Sequence, residues 1–399
     1  MFGSMLVHYA VMWYILLQTQ SGLMMTVLAV AGALPMFFIS PFGGVWADRY
    51  NKKAIINIAD ASVALVTLVM AVLFSLGIEL IWPLLICLVI RAFGQGVQMP
   101  AVNALVPELV PPEHLTRANG ISGSVMSMVM FASPMAGGAL LAVAPIQTLM
   151  FVDVVSAAIG ISILVFFVKV PIRAEKKEIT AGARQYFVEI GEGLRYIAGK
   201  TFLKRLLVLS ALYSIMSAPG AMLTPLQVAR NWGEDIWYVA GGFALGAEQR
   251  LASIEIAFSV GMVLGGIIIG AWGGFKNRTH TCALSISLFG LGAVGLGLIG
   301  NFWVYVLCMG AVGVVMSLFN APMMATLQIN VDAEYMGRVF SVLAMMGSLM
   351  MPLGMILWGP LSDVVAIDWL LVGTGCFVFL MGFLIVLDKT LLKAGAEKA

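Results

Sequence analysis

Within otherwise apolar stretches of this 399-residue chain stand three ionisable residues, Asp60, Arg91 and Asp153, and a fourth, Glu255, lies near the start of another such stretch. A charge at the centre of a bilayer costs at least about 2.5–3.5 kcal/mol on insertion scales, so each of these residues needs a partner or a wet cavity. The chemistry open to them is proton carriage. Burial favours a neutral acid and a nearby guanidinium favours the carboxylate, so an acid beside Arg91 can take up and release a proton as its surroundings wet and dry. The spacing leaves open which acid faces Arg91. The alternative for Asp60 and Asp153 is a structural hydrogen bond to a neighbouring helix, and for Glu255 a reach to the headgroups. His8 titrates in a useful range, with simple packing as its alternative.

The elements that must position these residues follow from composition. Of the chain, 61% is apolar and only 11% charged, with a mean hydropathy of +1.00. So few charges cannot cover a water-soluble globule, which excludes a soluble enzyme. A bilayer-crossing backbone must satisfy its own hydrogen bonds, leaving helices or a closed barrel. Long unbroken apolar runs such as Val63 to Leu76 lack the alternation of barrel strands and predict helices. Cutting at charged and Pro/Gly-rich stretches gives twelve segments, near 1–18, 22–43, 54–77, 81–103, 119–143, 146–169, 204–228, 251–273, 280–299, 302–325, 337–361 and 366–388. Each is about twenty residues, the length that crosses a hydrocarbon core of about 30 Å.

Orientation follows from the basic residues, which cytoplasmic loops retain. With the second loop inside, 19 of the 22 basic residues fall on that side, the exceptions being Arg91, Arg230 and Arg250. Both termini are then expected in the cytoplasm. The first span starts at Met1 with nothing cytoplasmic before it, which predicts a start further upstream or a trimmed chain, and no cleavable signal is expected. The net charge of +2 gives no reason to expect nucleic acid. Cys87, Cys282, Cys308 and Cys376 all lie in apolar runs and show neither disulfide nor metal spacing. No phosphate-binding loop is present, so neither ATP hydrolysis nor a cofactor is expected.

The polar stretch 171–203 carries Phe187, Ile190, Leu194 and Ile197 at helical spacing, which predicts a short interfacial helix. It would link residues 1–170, a six-helix half, to residues 204–399, a second six-helix half with a short cytoplasmic tail. The halves echo each other. Pro100, Glu113 and Arg117 recur as Pro322, Glu334 and Arg338 at offsets of 222, 221 and 221; Gly44 and Lys52 recur as Gly270 and Arg278 at 226, and Pro134 as Pro352 at 218. A duplicated six-span unit is a common construction for transporters with a midplane site. The expected fold is therefore all-α and integral to the membrane, with twelve transmembrane helices in two pseudo-symmetric halves.

Three motifs then carry a resemblance. Gly44-Val-Trp-Ala-Asp48-Arg49-Tyr-Asn-Lys52-Lys53 resembles the signature loop of the major facilitator superfamily, with Asn51 where glycine is usual. Arg91-Ala-Phe-Gly94-Gln95-Gly96 resembles that superfamily's motif with a membrane-embedded arginine. Ser133-Pro134-Met-Ala-Gly137-Gly138 resembles the antiporter motif of its drug exporters, with Ser133 replacing a glycine. Gly3-Ser4, Trp13-Tyr14, the Pro-Phe-Gly-Gly run at 41–44 and Val152-Asp153 are similar to macrolide-efflux-type members and their siderophore-exporting relatives.

The resemblance implies alternating access, with a lipophilic drug-like compound exported in exchange for protons across the bacterial plasma membrane. Gly44, Asp48, Arg49, Lys52 and Lys53 would form a conformational latch, whose contacts exist in one state and break in the other. Gly274 stands at the Asp48 position of the second copy, so that latch should be weaker. Pro134, Gly137 and Gly138 would seal the cavity and favour exchange over leak. Spans one, four, seven and ten line the superfamily's cavity and here offer Tyr9, Trp13, Gln95, Gln98, Tyr213, Met216, Met316 and Asn320. Aromatics with methionines make an adaptable apolar wall for bulky amphipathic molecules. The alternatives are a siderophore or metabolite exporter, an uptake symporter, or a non-transporting sensor or scaffold.

Overall fold

A computed structural model describes residues 2–111, 114–141, 143–168, 183–233, 237–239, 243–332 and 334–396. In chain order the elements are α1 (Phe2–Thr19), α2 (Gly22–Arg49), α3 (Lys52–Ser75), α4 (Ile81–Leu109), α5 (Leu115–Leu141), α6 (Ile146–Phe167), α7 (Ala183–Gly199), α8 (Thr201–Met222) and α9 (Thr224–Trp232). The strands β1 (Trp237–Val239) and β2 (Phe243–Leu245) follow, then α10 (Ala247–Trp272), α11 (Arg278–Leu298), α12 (Phe302–Asn330), α13 (Met336–Leu361), α14 (Ile367–Leu387) and α15 (Lys389–Gly395).

Among the described residues eleven helices are long and apolar enough to cross a membrane. They coincide with the second to twelfth expected segments, and α1 occupies the first. The protein is all-α and integral to the membrane. Side chains such as Phe166, Phe167 and Leu307 are exposed by 76%, 80% and 74%, an outward apolar surface that only lipid satisfies.

Three details depart from the sequence reading. α4 and α12 run on to Leu109 and Asn330, beyond the expected ends near 103 and 325, because a helix that leaves the hydrocarbon need not stop there. The segment 204–228 is two helices that break at Leu223, with Pro225 in the first turn of α9, where its missing N–H costs nothing. Between α9 and α10, β1 and β2 pair antiparallel with Tyr238 opposite Ala244. Aromatic and β-branched residues in β1 suit that pairing.

The chain forms two compact units, residues 1–18 with 27–188, and residues 19–26 with 189–399. In the first unit α3 packs against α4 and α6. In the second, α10 packs on α12, α11 on α14 and α8 on α13. The α11–α14 seam requires small residues: a Cβ at Gly290 would lie 2.6 Å from the Gly375 carbonyl oxygen.

Helix ends are capped by the same residue type in the two halves. Asn51 accepts from the Ala54 amide at 3.2 Å to start α3, and Asn277 accepts from Thr279 at 3.0 Å to start α11. Ile197 on α7 is buried in a cluster with Leu203, Leu327, Val331, Val339 and Val342, and Ile190 packs against it. Leu194 of the expected stripe is exposed, while Tyr196 stacks on Tyr335 with centroids 4.4 Å apart. The side chain of Phe187 lies outside the described residues.

At the carboxyl-terminal end Asp388 caps α15 through the Thr390 amide at 2.8 Å. Thr279 Oγ1 donates to the Leu391 carbonyl at 2.8 Å, Asn277 Nδ2 to Leu392 at 3.0 Å, and Asn330 Nδ2 to Ala394 at 2.8 Å. The Arg205 guanidinium meets both Asp388 oxygens at 2.6 Å. Slight burial raises the Asp388 pKa, but hydrogen bonds from Arg205 and from the Thr390 and Leu391 amides outweigh it and hold the carboxyl below the usual range.

Candidate functional site

Arg91 lies on α4 and is 2% exposed, and its guanidinium is held from three other helices. Nη1 donates to Asp153 Oδ2 on α6 at 2.6 Å and to Thr67 Oγ1 on α3, while Nη2 donates to the Ser4 carbonyl on α1 at 2.8 Å. Ser4 Oγ completes the ring by donating to Asp153 Oδ1 at 3.1 Å. The Thr67 hydroxyl spends its own proton on the Val63 carbonyl at 2.9 Å, so it faces Arg91 purely as an acceptor. Asp153 is 1% exposed and forms a fully buried ion pair with Arg91.

Such a pair compensates two charges that neither apolar packing nor lipid would tolerate singly. Arg91 thus has two neutral acceptors, Thr67 and the Ser4 carbonyl, beside the Asp153 carboxylate, while its Nε finds no partner among the described residues.

Close helix approach makes the cluster possible. A Cβ at Gly3 would lie 3.0 Å from Asp153 Oδ1 and 3.1 Å from its Cα, so only glycine lets α1 reach α6 there. A Cβ at Gly137 on α5 would sit 3.3 Å from the Leu6 carbonyl, which shows how closely α5 lies along the same stretch of α1. Pro134 and Gly138 are buried beside it, and Ser133, whose Oγ finds no partner among the described residues, is fully buried. Gly94 abuts Val63 on α3, and Gly96 abuts Ile39 and Met36 on α2, so the glycines after Arg91 seat α4 between those two helices.

The other acids stand apart from this cluster. Asp60 Oδ1 accepts from Gln98 Nε2 at 2.6 Å, which brings together one expected proton carrier and one expected cavity residue. Glu255 is half-buried on α10 in the second unit. His8 sits one turn from Ser4 on α1, and a Cβ at Gly32 would lie 3.7 Å from its Cε1.

In the signature loop, Lys52 Nζ pairs with Glu108 Oε1 on α4 at 2.8 Å. Lys53 Nζ donates to the Val165 and Val168 carbonyls at 2.9 Å each, placing a cation on the exposed carbonyls that end α6. Gly44 has open space where a Cβ would be, and Arg49 is exposed. The Asp48 side chain, Glu113, and Lys169 with residues 171–182 lie outside the described residues.

The expected cavity residues fall into groups. Tyr213 stacks near Phe319 and tilts against Phe289, at 5.8 and 5.7 Å, and with Met316 they line one tightly packed crevice in the second unit. Met216 packs nearby. Tyr9 and Trp13 are ring neighbours at 6.3 Å, but Trp13 is completely buried. Gln95 is half-buried on α4. Asn320 donates to its own helix at the Met316 carbonyl, 3.2 Å away.

Reading by residue type missed Thr67, the Ser4 hydroxyl and the Gly3 contact as parts of the Arg91 cluster. Threonine and serine in spans usually bond their own helix, so they carry no signal of their own. The Gly3-Ser4 pair ahead of an apolar run was the available hint. Phe289 and Phe319 were missed for a similar reason, being two among 22 phenylalanines.

Comparison with known proteins fits this geometry. The family model described as Major Facilitator Superfamily matches residues 1–355. The chain is 29% identical over 376 residues to macrolide efflux protein A of Streptococcus pyogenes, covering 93% of this chain and 89% of that protein. It is 24% identical over 363 residues to multidrug efflux pump Tap of Mycobacterium bovis, covering 88% and 81%. Its fold is similar to that of nucleoside transporter NupG, with a TM-score of 0.68 at 11% identity over 97% of this chain and 98% of that one. It is similar also to a bacterial homologue of the human lysosomal transporter Spinster, with a TM-score of 0.67 at 15% identity over 100% and 97%.

Proposed function

Because the chain belongs to the Major Facilitator Superfamily and is a multi-pass membrane transporter of small molecules, we propose that it exports a lipophilic, macrolide-type compound in exchange for protons. The observation that carries this reading is the Arg91–Asp153 pair, buried among four helices with neutral acceptors in reserve. Asp153 is the proton carrier we favour, and Asp60 and Glu255 are further candidates. Proton binding at Asp153 frees Arg91 from its strongest partner and so loosens the hold of α6 on α4, which couples protonation to helix movement.

Gly44, Asp48, Arg49, Lys52 and Lys53 act in this proposal as the latch between states, and Pro134, Gly137 and Gly138 as the packed face that limits leak. The substrate wall draws on Tyr9, Gln95, Gln98, Tyr213, Met216, Met316 and Asn320, with Phe289 and Phe319 added beside Tyr213 and with the buried Trp13 packed against Tyr9. In this proposal the linker 171–203 joins a half with residues 1–170 to a half with residues 204–399, in the bacterial plasma membrane with both termini cytoplasmic. The chain performs no covalent chemistry and needs no cofactor.

Relatives named for macrolide and multidrug efflux support export. The aromatic and methionine wall supports a lipophilic cargo. A siderophore or other hydrophilic cargo is less well served, since Gln98 is engaged by Asp60 and Asn320 by its own backbone.

The test is efflux of a labelled macrolide from drug-sensitive cells, with and without a protonophore, beside an Asp153→Asn variant shown to reach the membrane. Protonophore-sensitive efflux that the variant loses supports the proposal. Efflux that ignores both the protonophore and the substitution defeats proton coupling.

A further inference from the structure

Within the first unit α3 and α4 meet in one antiparallel register. Thr67 faces Arg91, Val63 faces Gly94 and Asp60 faces Gln98, in steps of three and four residues that keep each pair on the shared seam. Past Asp60 the same two helices end on the partly exposed Lys52–Glu108 pair. The seam is therefore polar at Arg91, apolar at Val63 and Gly94, and polar again at Asp60 and at its end. Arg91 and Gln98 lie two turns apart on α4, a rise of about 10 Å.

Asp60 differs from Asp153 in access and in partner. Asp153 is 1% exposed, whereas Asp60 is half-buried and its Oδ2 makes no hydrogen bond among the described residues. A carboxyl left open inside the bilayer needs water beside it. Arg91 can only donate, so the proton of a neutral Asp153 would find no acceptor in it. Gln98 carries both an amide N–H and a carbonyl. It donates to the ionised Asp60 at 2.6 Å, and by turning its amide it accepts from the protonated acid. The Asp60–Gln98 pair is thus suited to both protonation states. One turn before Asp60, the Asn57 Oδ1 is buried and has no partner among the described residues. It is an acceptor for a hydrogen that these residues do not supply, and a water passing along the seam would supply it.

We propose that Asp60 is a proton relay in series with Asp153, a way station between the buried ion pair and the Lys52–Glu108 end of the seam. That end faces the cytoplasm in the orientation proposed above, and the inference rests on the exporter reading. When Asp153 gives up its proton, its carboxylate returns to Arg91. The proton passes the Val63–Gly94 step on water and binds the Asp60 carboxylate, where Gln98 turns to accept from the new carboxyl. Asp60 then gives the proton to water at the end of the seam. Gln98 is a positioning residue that holds the acid through both states. Of the groups around Asp60, α4 presents the neutral Gln98, α6 presents Asp153, and the amino terminus adds a positive charge, so the charge on Asp153 is felt at Asp60.

The test separates proton movement from cargo movement. Full-length protein in liposomes carries labelled macrolide under a pH gradient and, at equal pH on both faces, exchanges labelled for unlabelled macrolide, which needs no net proton release. Asp60→Asn keeps the shape of the acid and the acceptor for Gln98. It is expected to slow gradient-driven transport at least about tenfold, with exchange within about twofold of wild type. Asp60→Glu should recover most of the driven rate. Gln98→Leu, which leaves the acid and removes its partner, should displace the pH dependence of driven transport with exchange retained. Driven transport by Asp60→Asn at the wild-type rate overturns the relay. Loss of driven transport and exchange together in that variant also overturns it, because Asp60 would then serve packing or the cargo. Absence of macrolide transport by the wild-type chain would instead count against the exporter reading. In that case, or if Asp60→Asn does not reach the membrane, infrared titration of the purified chain beside Asp60→Glu decides. A carboxyl band that titrates across neutral pH and moves in Asp60→Glu supports the relay, and the lack of such a band overturns it.

Discussion

Gly3 of α1 lies against Asp153 of α6 so closely that a methyl group at position 3 would come within 3.0 Å of the carboxylate and 3.1 Å of the Asp153 Cα. The glycine thus sets the distance at which the Ser4 carbonyl and hydroxyl meet Arg91 and Asp153. Gly3→Ala should push α1 away from α6 and lower both thermal stability in detergent and efflux. The same substitution at Gly44, where nothing lies within 4 Å of the added carbon, should leave stability nearly unchanged.

Removing one member of the buried pair should cost about 3–5 kcal/mol, because the other charge is stranded. Asp153→Asn or Arg91→Met is therefore expected to melt well below wild type. The double variant Arg91→Met with Asp153→Leu should regain most of that stability, since apolar replacements of a buried pair are often neutral, yet it should remain unable to drive protonophore-sensitive efflux. Restored melting with restored efflux would show that the pair is purely structural.

Thr67→Val keeps shape while deleting an acceptor for a charged donor. Hydrogen bonds to charged groups contribute about 1.5–3 kcal/mol, and a loss of that order should appear in thermal melting. Thr67→Ser should recover it, being able to accept in the same place. Equal melting of the Val and Ser variants would contradict the geometry.

Asn51 occupies a place where the signature loop usually carries glycine, and here it caps α3. Caps of this kind are worth about 1 kcal/mol against alanine and only a few tenths against glycine. Asn51→Ala should destabilise by that amount and Asn51→Gly should barely register, as measured by melting of the purified variants.

For Asp363, partial burial raises the pKa, but the Gly22 and Leu23 amides, Arg230 and Ser21 outweigh it and hold the carboxyl below the usual range. A depressed acid contributes stability that is complete above its unfolded value, about 4, and is lost as pH falls through the lower folded value. The melting difference between wild type and Asp363→Asn should therefore be constant from neutral pH down to about 5 and shrink only below about 4. A difference that shrinks between pH 7 and 6 would assign the stabilisation to another group.

Spans were legible because the bilayer imposes one simple rule, a long apolar run, and that rule places the helices to within a few residues. Details governed by local chemistry were not. The break at Leu223 depends on how two prolines divide one apolar segment, and β1 with β2 depends on a pairing across a loop. Within the site, Arg91 and Asp153 announced themselves by the cost of their charges, but their partnership, 62 residues apart in sequence, needed the fold. Thr67 stayed hidden because a hydroxyl in a span looks the same whether it serves its own helix or a neighbour.

The short helix α15 has a consequence for how the chain is made. Asn277, Thr279 and Asn330 direct their side chains to the carbonyls of Leu391, Leu392 and Ala394. Those partners are synthesised more than sixty residues after the groups that wait for them. Until residues 389–395 have left the ribosome, Asn277 and Thr279 lack these acceptors, while Asn330 keeps the Thr326 carbonyl of its own helix at 2.8 Å. These contacts are thus among the last the chain can make, and a stop codon just after α14 would release a protein that keeps α11 packed on α14 but lacks the polar ties to α15.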